Sequence, residues 1–303
     1  MSNNGLDNFI NNCTITDFSS SNEGTIRGYI ADYFNKNTLD DESLKNNFLQ
    51  SQFEIANTMY TQNPVLISFV LYTERCKLVY KHIAEKKLNE ILSSELLNFI
   101  FQNIANSCYL ITSINTLLLS TCNQSVITEY RTFYENYVVL KYLYKNQDLI
   151  SKFNEHAEIR CLILERNLEQ IKGKTLSKEK EKRYQELIKE NKAFKEEYGW
   201  AATKIKNRPQ RSIETFYKKS GLDKVFWLLY KESCEFVHAS SYGVRVKPDF
   251  RNTSRFLYAL IDMIKDEFNI LFSEIDLDEK DRTLLQTFII LISDHLQCLF
   301  DQL

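Results

Sequence analysis

Glycine and proline are almost missing from this chain, with 7 Gly and 3 Pro in 303 residues. Glycine supplies the left-handed turns and close backbone approaches of hairpins and phosphate loops, and proline the rigid turns, so a sheet-rich or nucleotide-loop architecture lacks its punctuation here. Neither G-x-G-x-x-G nor G-x-x-x-x-G-K-[ST] occurs. What remains is helix. Apolar residues recur at helical spacing, as in Leu44, Phe48, Phe53, Ile55 and Met59, and again in Val65, Phe69, Tyr72, Cys76, Val79 and Ile83. Asn63-Pro64 marks the start of that second helix, because the first turn has no use for the N–H that proline lacks.

The same periodicity predicts helices from Ser93 to Ser120, Ser125 to Lys145, Ser151 to Ile171, Ser177 to Tyr198, Ile213 to Lys219, Leu222 to Ala239, Asn252 to Phe272 and Glu279 to Gln302. One short run, Tyr242 to Val246, reads as strand-like. The expected fold class is all-α: an array of long antiparallel helices with a charged helical hairpin projecting from it, since short connections pair sequence neighbours antiparallel. Residues 1–60 read as a loosely ordered acidic N-terminal arm, with a short helix near Thr25 to Asn35, followed by the first helix. Residues 61–303 read as the main helical domain, with 172–208 as a charged hairpin insertion.

Such helices need a core, and the chain is 44% hydrophobic with 20 Phe and 17 Tyr, which argues against wholesale disorder. Seven cysteines, at 13, 76, 108, 122, 161, 234 and 298, show no C-x-x-C and no pairing rhythm, so they read as free thiols of a reducing compartment. The opening MSNNGLDNFINNC has no basic stretch followed by an unbroken apolar one, and predicts no secretion signal. Ile104 to Leu119 is interrupted by Asn106, Ser107, Thr112, Ser113, Asn115 and Thr116, too polar for a bilayer span. A cytoplasmic protein without membrane contact is expected. The four histidines show no metal-like spacing and no H-E-x-x-H, so neither metal nor cofactor is expected.

The formal charge of −2 hides a basic centre between acidic ends. Residues 165–219 carry 16 basic and 9 acidic side chains, whereas 256–303 carry 3 and 10. Clustered Lys and Arg supply the sequence-independent part of nucleic-acid binding, and Tyr184, Phe194, Tyr198 and Trp200 offer rings for stacking on unpaired bases. The alternative is a solvated hairpin laced by Lys–Glu pairs, with those rings as its packing stripe. Basic centre and acidic C-terminal helices also suit a homodimer.

Two places put charge where the pattern asks for apolar residues. Within Ser125 to Lys145, the residues Tyr130, Phe133, Tyr137, Leu140 and Tyr144 form the core stripe. Arg131 and Glu135 lie one turn apart on another face, with Tyr134, Val138 and Tyr142. The second place is Tyr230 to Gly243, where Lys231 and Ser233 precede His238, followed by Ser240, Ser241, Tyr242, Arg245, Lys247, Arg251 and Arg255. An imidazole exchanges protons near neutral pH and a guanidinium holds phosphate through its planar fork. Arg131, Glu135, His238 and Lys231 are therefore the candidate catalytic groups, with Ser240, Ser241, Tyr242, Arg245, Lys247, Arg251 and Arg255 as the candidate nucleic-acid contacts.

The R-x-x-x-E of a Tyr/Phe-rich helix (Arg131, Glu135) joined to a late S-x-x-x-x-H-x-S (Ser233, His238, Ser240) after Trp227 to Lys231 resembles a bacterial all-helical family of unknown function, over roughly residues 60 to 272. More distantly it is similar to the HEPN helical superfamily, many of whose members are ribonucleases of toxin and antiphage systems. That resemblance implies a metal-independent RNA cut using the 2′-hydroxyl. The superfamily signature is R-x(4–6)-H, whereas this chain has Lys231 seven residues before His238, so Lys231 or the remote Arg131 would clamp the phosphate. Two functions follow as expectations. One is a defence-type ribonuclease; the other is a non-catalytic helical module binding a partner protein or nucleic acid, with Arg131, Glu135 and His238 as a structural network.

Overall fold

The computed structural model describes residues 64–120, 122–238, 243, 245–279, 281–282, 285–286, 289 and 293. The expected N-terminal arm, Ser240, Ser241, Tyr242 and most of the last predicted helix lie outside the described residues. Among those described the fold is all-α, with eight helices and no strand. They are α1 (Pro64–Ser93), α2 (Glu95–Leu119), α3 (Asn123–Lys145), α4 (Ile150–Ile171), α5 (Lys178–Glu190), α6 (Ile213–Ser220), α7 (Lys224–Val237) and α8 (Phe250–Glu274).

Local chemistry sets the helix starts. Ser94, Ser177 and Ser212 each accept, through the side-chain oxygen, a backbone N–H three residues on, and Asp223 and Asp249 do the same for Val225 and Asn252. Gly221 ends α6 in the left-handed region at φ 68°, where a side chain is strained.

Helix α3 is the hub, with α2, α6, α7 and α8 packed on it. Tyr130, Phe133, Tyr134, Val138, Leu140 and Leu143 are each 0% exposed, so α3 is buried on more than one face and must be apolar nearly all round. Helices α1 and α2 are antiparallel, joined through Ser94, as the contacts Thr73–Asn115, Lys77–Thr112 and Tyr80–Phe101 require. Helix α8 runs parallel to α3: Tyr130 packs edge-on against Phe256, Tyr137 donates to Asp266 and Tyr144 to Glu274. Long intervening chain permits this parallel pairing, which short loops forbid.

The charged hairpin expected within 172–208 is corrected: that stretch holds one α-helix, α5, which pairs instead with α4, and the two form the hairpin around a small core of Ile159, Leu162, Tyr184, Leu187 and Phe194. The helix expected through Tyr198 ends at Glu190. Asn191 then accepts the Ala193 N–H and opens a 3-10 turn, and Gly199 lies so close to Ala193 that a Cβ there would meet the Ala193 carbonyl oxygen at 2.0 Å. That tight return buries Phe194 and Trp200 together, which a continuous helix cannot do. The strand-like run is also corrected: Gly243 and Arg245 have helical backbone.

Candidate functional site

The Arg131–Glu135 pair lies where α3 meets α7. Arg131 Nε donates to Glu135 Oε1 at 3.1 Å, and the Tyr230 hydroxyl from α7 donates to the same oxygen at 2.9 Å. The guanidinium carbon sits 5.9 Å from the Tyr230 ring centroid. Burial, and then the Glu135 charge, push the Tyr230 phenol far above its ordinary value, so it keeps its proton and stays the donor. For Arg131, burial opposes the charge, but the Tyr230 bond and Glu135 outweigh it and the net shift is upward. These three groups form a charge-assisted brace across the α3–α7 contact.

Stacked rings extend from the brace. Tyr134 lies 4.9 Å from Tyr230, Tyr230 lies 5.2 Å from Trp227, and Trp227 lies 5.1 Å from Tyr217 of α6, centroid to centroid. Lys231, the candidate phosphate clamp, is exposed and places its ammonium 5.6 Å over the Trp227 ring. Ser233 is buried, donating to the Tyr230 carbonyl at 2.7 Å, and so faces away from any substrate.

His238 is elsewhere. It caps α7, its backbone N–H donating to the Cys234 carbonyl at 3.1 Å, and its side chain is exposed. Eight residues separate it from Tyr230, an axial rise of about 12 Å. No hydrogen bond or ion pair joins its ring to Arg131 or Glu135. The residues expected to meet thus divide into a brace at mid-helix and an imidazole at the helix end.

The chain returns over that end. A Cβ on Gly243 would meet the Glu235 carbonyl oxygen at 2.3 Å and Phe236 Cα at 3.0 Å, so only glycine permits the approach. This contact brings Gly243, two residues before Arg245, against the last turn of α7. Arg245, Lys247 and Arg251 are exposed, and among the described residues no ion pair holds them. Arg255 differs: its guanidinium bonds Glu232 of α7 at 3.0 Å.

The hairpin treats its charge in another way. Arg166 pairs with Glu181 at 2.7 Å, Arg183 with Glu158 through two bonds of 2.8 Å, and Lys180 with Glu165. Tyr184, Phe194 and Trp200 are buried and offer no ring face to a base. No cluster of three or more His, Cys, Asp or Glu suited to a metal occurs among the described residues, and their cysteines are free thiols. No helix there is long and apolar enough to cross a membrane.

Tyr230 was legible as part of a W-L-L-Y-K helix but not as the partner of Glu135, 95 residues away. Sequence reasoning also missed Glu267. This α8 carboxyl is 1% exposed and accepts from Ser107 at 2.9 Å, with Asn136 donating to that Ser107 oxygen at 2.9 Å. Burial pushes it up to about 8. The signal was there in Ser107, a polar interruption of an otherwise apolar helix.

No curated protein and no solved structure matches the chain. The model of a family of unknown function, DUF5677, matches residues 97–251, from α2 to the first turn of α8. That span holds the Arg131–Glu135–Tyr230 brace, His238 and Arg245 to Arg251, and covers just over half of the 303 residues. On that match the chain belongs to the family of unknown function DUF5677.

Proposed function

We propose that this chain is a helical RNA-binding protein that holds RNA at the end of α7, and that the Arg131–Glu135–Tyr230 brace fixes this end to the rest of the bundle. The carrying observation is one grouping: an exposed His238 at the end of α7, Gly243 packed on Glu235 and Phe236 of the last turn of α7, and exposed Arg245, Lys247 and Arg251 following without ion pairs among the described residues. Arg245 and Lys247 carry no ion pair among the described residues, and such cations are the ones whose counterions a phosphate backbone displaces, whereas Arg251 lies near the Asp249 carboxylate. The brace fits a structural role because both of its bonds to Glu135 come from groups packed between helices.

A second reading adds catalysis, of the metal-independent kind that the HEPN-like resemblance implies, in a bacterial defence or toxin setting. It is favoured by the exposed imidazole itself, since a proton carrier must reach the 2′-hydroxyl. With Arg131 not bonded to His238, Arg245 is the nearer guanidinium in sequence for phosphate. Both readings are tested by incubating labelled single-stranded RNA with the protein in EDTA. Cleavage that disappears in His238→Ala, with its melting curve unchanged, establishes the catalytic form. Retardation of intact RNA establishes binding alone, and RNA that is neither cut nor retarded removes the proposal.

A further inference from the structure

Helix α4 carries two apolar stripes on opposite faces. One builds the hairpin core, where Ile159 and Leu162 are buried against Tyr184 and Leu187 of α5. The other stands in solvent. Ala157, Cys161, Leu164, Leu168 and Ile171 are all exposed, the last three at 60%, 56% and 83%. Their steps along the chain are four, three, four and three residues, so each position returns after seven. A straight helix drifts from that repeat at 3.6 residues per turn, and a strict seven-residue return is the seam that a second, supercoiled helix covers. From Ala157 to Ile171 the seam is about 21 Å long.

The two ends of the seam decide which helix covers it. One heptad before Cys161, Asn154 donates to Glu95 of α2 at 3.3 Å, and the adjacent Phe153 packs edge-on against Phe99. The bundle itself therefore occupies the seam side of the first turn. At the other end α4 stops at Ile171, and Gly173 turns the chain away at φ 69°. A parallel α4 from a second copy would bring its own α2 into the space that α2 already fills. An antiparallel one sets Leu164 against Leu168 of the second copy and Cys161 against its Ile171, and each helix ends where the other copy's α2 begins. Charge agrees with that direction. Exposed Glu95 stands at one end and exposed Lys174 at the other, neither in an ion pair among the described residues. Antiparallel packing puts opposite charges together, whereas parallel packing puts like on like. Along one edge Glu158 comes level with Lys172 of the second copy. Glu165, which meets its own image at the two-fold axis, is already neutralised by Lys180.

We propose that α4 is a dimer contact of this chain, its exposed seam packing antiparallel on the same seam of a second copy, with the two-fold axis between Leu164 and Leu168. Such a contact is self-complementary, so one stripe on one helix supplies both sides of it. It uses neither His238 nor the cations that follow α7, and so does not depend on the RNA reading.

The test uses the full chain. Light scattering at about 50 µM is expected to give twice the 35.8 kDa chain mass. Leu164→Lys and Leu168→Lys should each raise the dissociation constant about tenfold or more with far-UV circular dichroism unchanged, while Leu228→Lys, an equally exposed leucine on α7, keeps the dimer. Direction is read by copper-catalysed oxidation. Ile171→Cys should form a disulfide-linked dimer through Cys161 of the other copy, and the same variant carrying Cys161→Ser should not. A chain that is monomeric at that concentration overturns the proposal, as does a dimer that survives both leucine changes. Wild-type chains linked Cys161 to Cys161 would show parallel helices and overturn it as well.

Discussion

The α4–α5 hairpin and the end of α7 are both basic, yet they use their cations differently. In the hairpin, Arg166, Lys180 and Arg183 reach across to glutamates of the facing helix, and the aromatic rings between them are buried. At the end of α7 the cations stand without ion pairs among the described residues, beside an exposed imidazole. The number of positive charges therefore does not locate an interface. What locates it is cations without an ion pair on the same stretch as an exposed imidazole, because a paired cation has already traded its hydration for a carboxylate and the histidine packed against the hairpin core, His156, is buried.

The largest way to sharpen this contrast is to empty each core in turn. Phe256→Ala removes a ring packed edge-on to Tyr130 in the main bundle and is expected to cost about 3–5 kcal/mol of global stability, read by urea denaturation. Phe194→Ala empties the hairpin core instead. Hydrogen exchange should then show α5 opening while the α3 amides keep their protection, since the hairpin has a core of its own. Loss of α3 protection to the same degree would merge the two regions into one cooperative unit.

A smaller effect comes from pH. Glu267 is raised from its ordinary 4.5 to about 8 by burial, with the Asp266 charge adding to it and Ser107 opposing. The folded state thus holds a proton that the unfolded state releases between those values. Stability from this group is greatest below about pH 4.5 and declines as pH climbs toward 8. Glu267→Gln, which keeps the neutral shape, should raise the Tm at pH 8 by several degrees and flatten the Tm–pH curve between 5 and 8. A variant that melts lower than wild type at pH 8 contradicts the assignment.

Next in size is the brace. Tyr230→Phe deletes one hydrogen bond to a partly exposed carboxylate and should cost about 1–2 kcal/mol, without altering the far-UV circular dichroism of the folded protein. Smallest of all is Arg183→Ala, whose loss of an exposed, salt-screened pair with Glu158 should leave the melting curve within error of wild type.

The helices were legible because their apolar spacing and their serine and aspartate caps act locally, and most starts fall within two residues of the sequence expectation. The early end of α5 was not, because it is set by Phe194 entering the core between α4 and α5 while Trp200 packs on Phe153 and Phe216, which no local pattern records. The site was half legible. Arg131 and Glu135 stand out by spacing, and His238 by its place after an apolar helix. Their separation was hidden, since the rotation of α7 on α3 is fixed by Tyr134 and Tyr230 stacking across 96 residues of chain. Gly243, one of only 7 glycines, was the overlooked clue to the turn that brings Arg245 back.

The central claim is that unpaired cations at the end of α7, rather than the hairpin, receive RNA. Anisotropy of a labelled single-stranded RNA in EDTA, titrated with two charge-reversal variants, tests it most directly. Reversing Arg245, Lys247 and Arg251 to glutamate should weaken binding by about tenfold or more and flatten its salt dependence. Reversing Arg166, Lys180 and Arg183, the hairpin cations already held by glutamates, should weaken it far less. Equal losses from both variants, or the larger loss from the hairpin, would contradict the account.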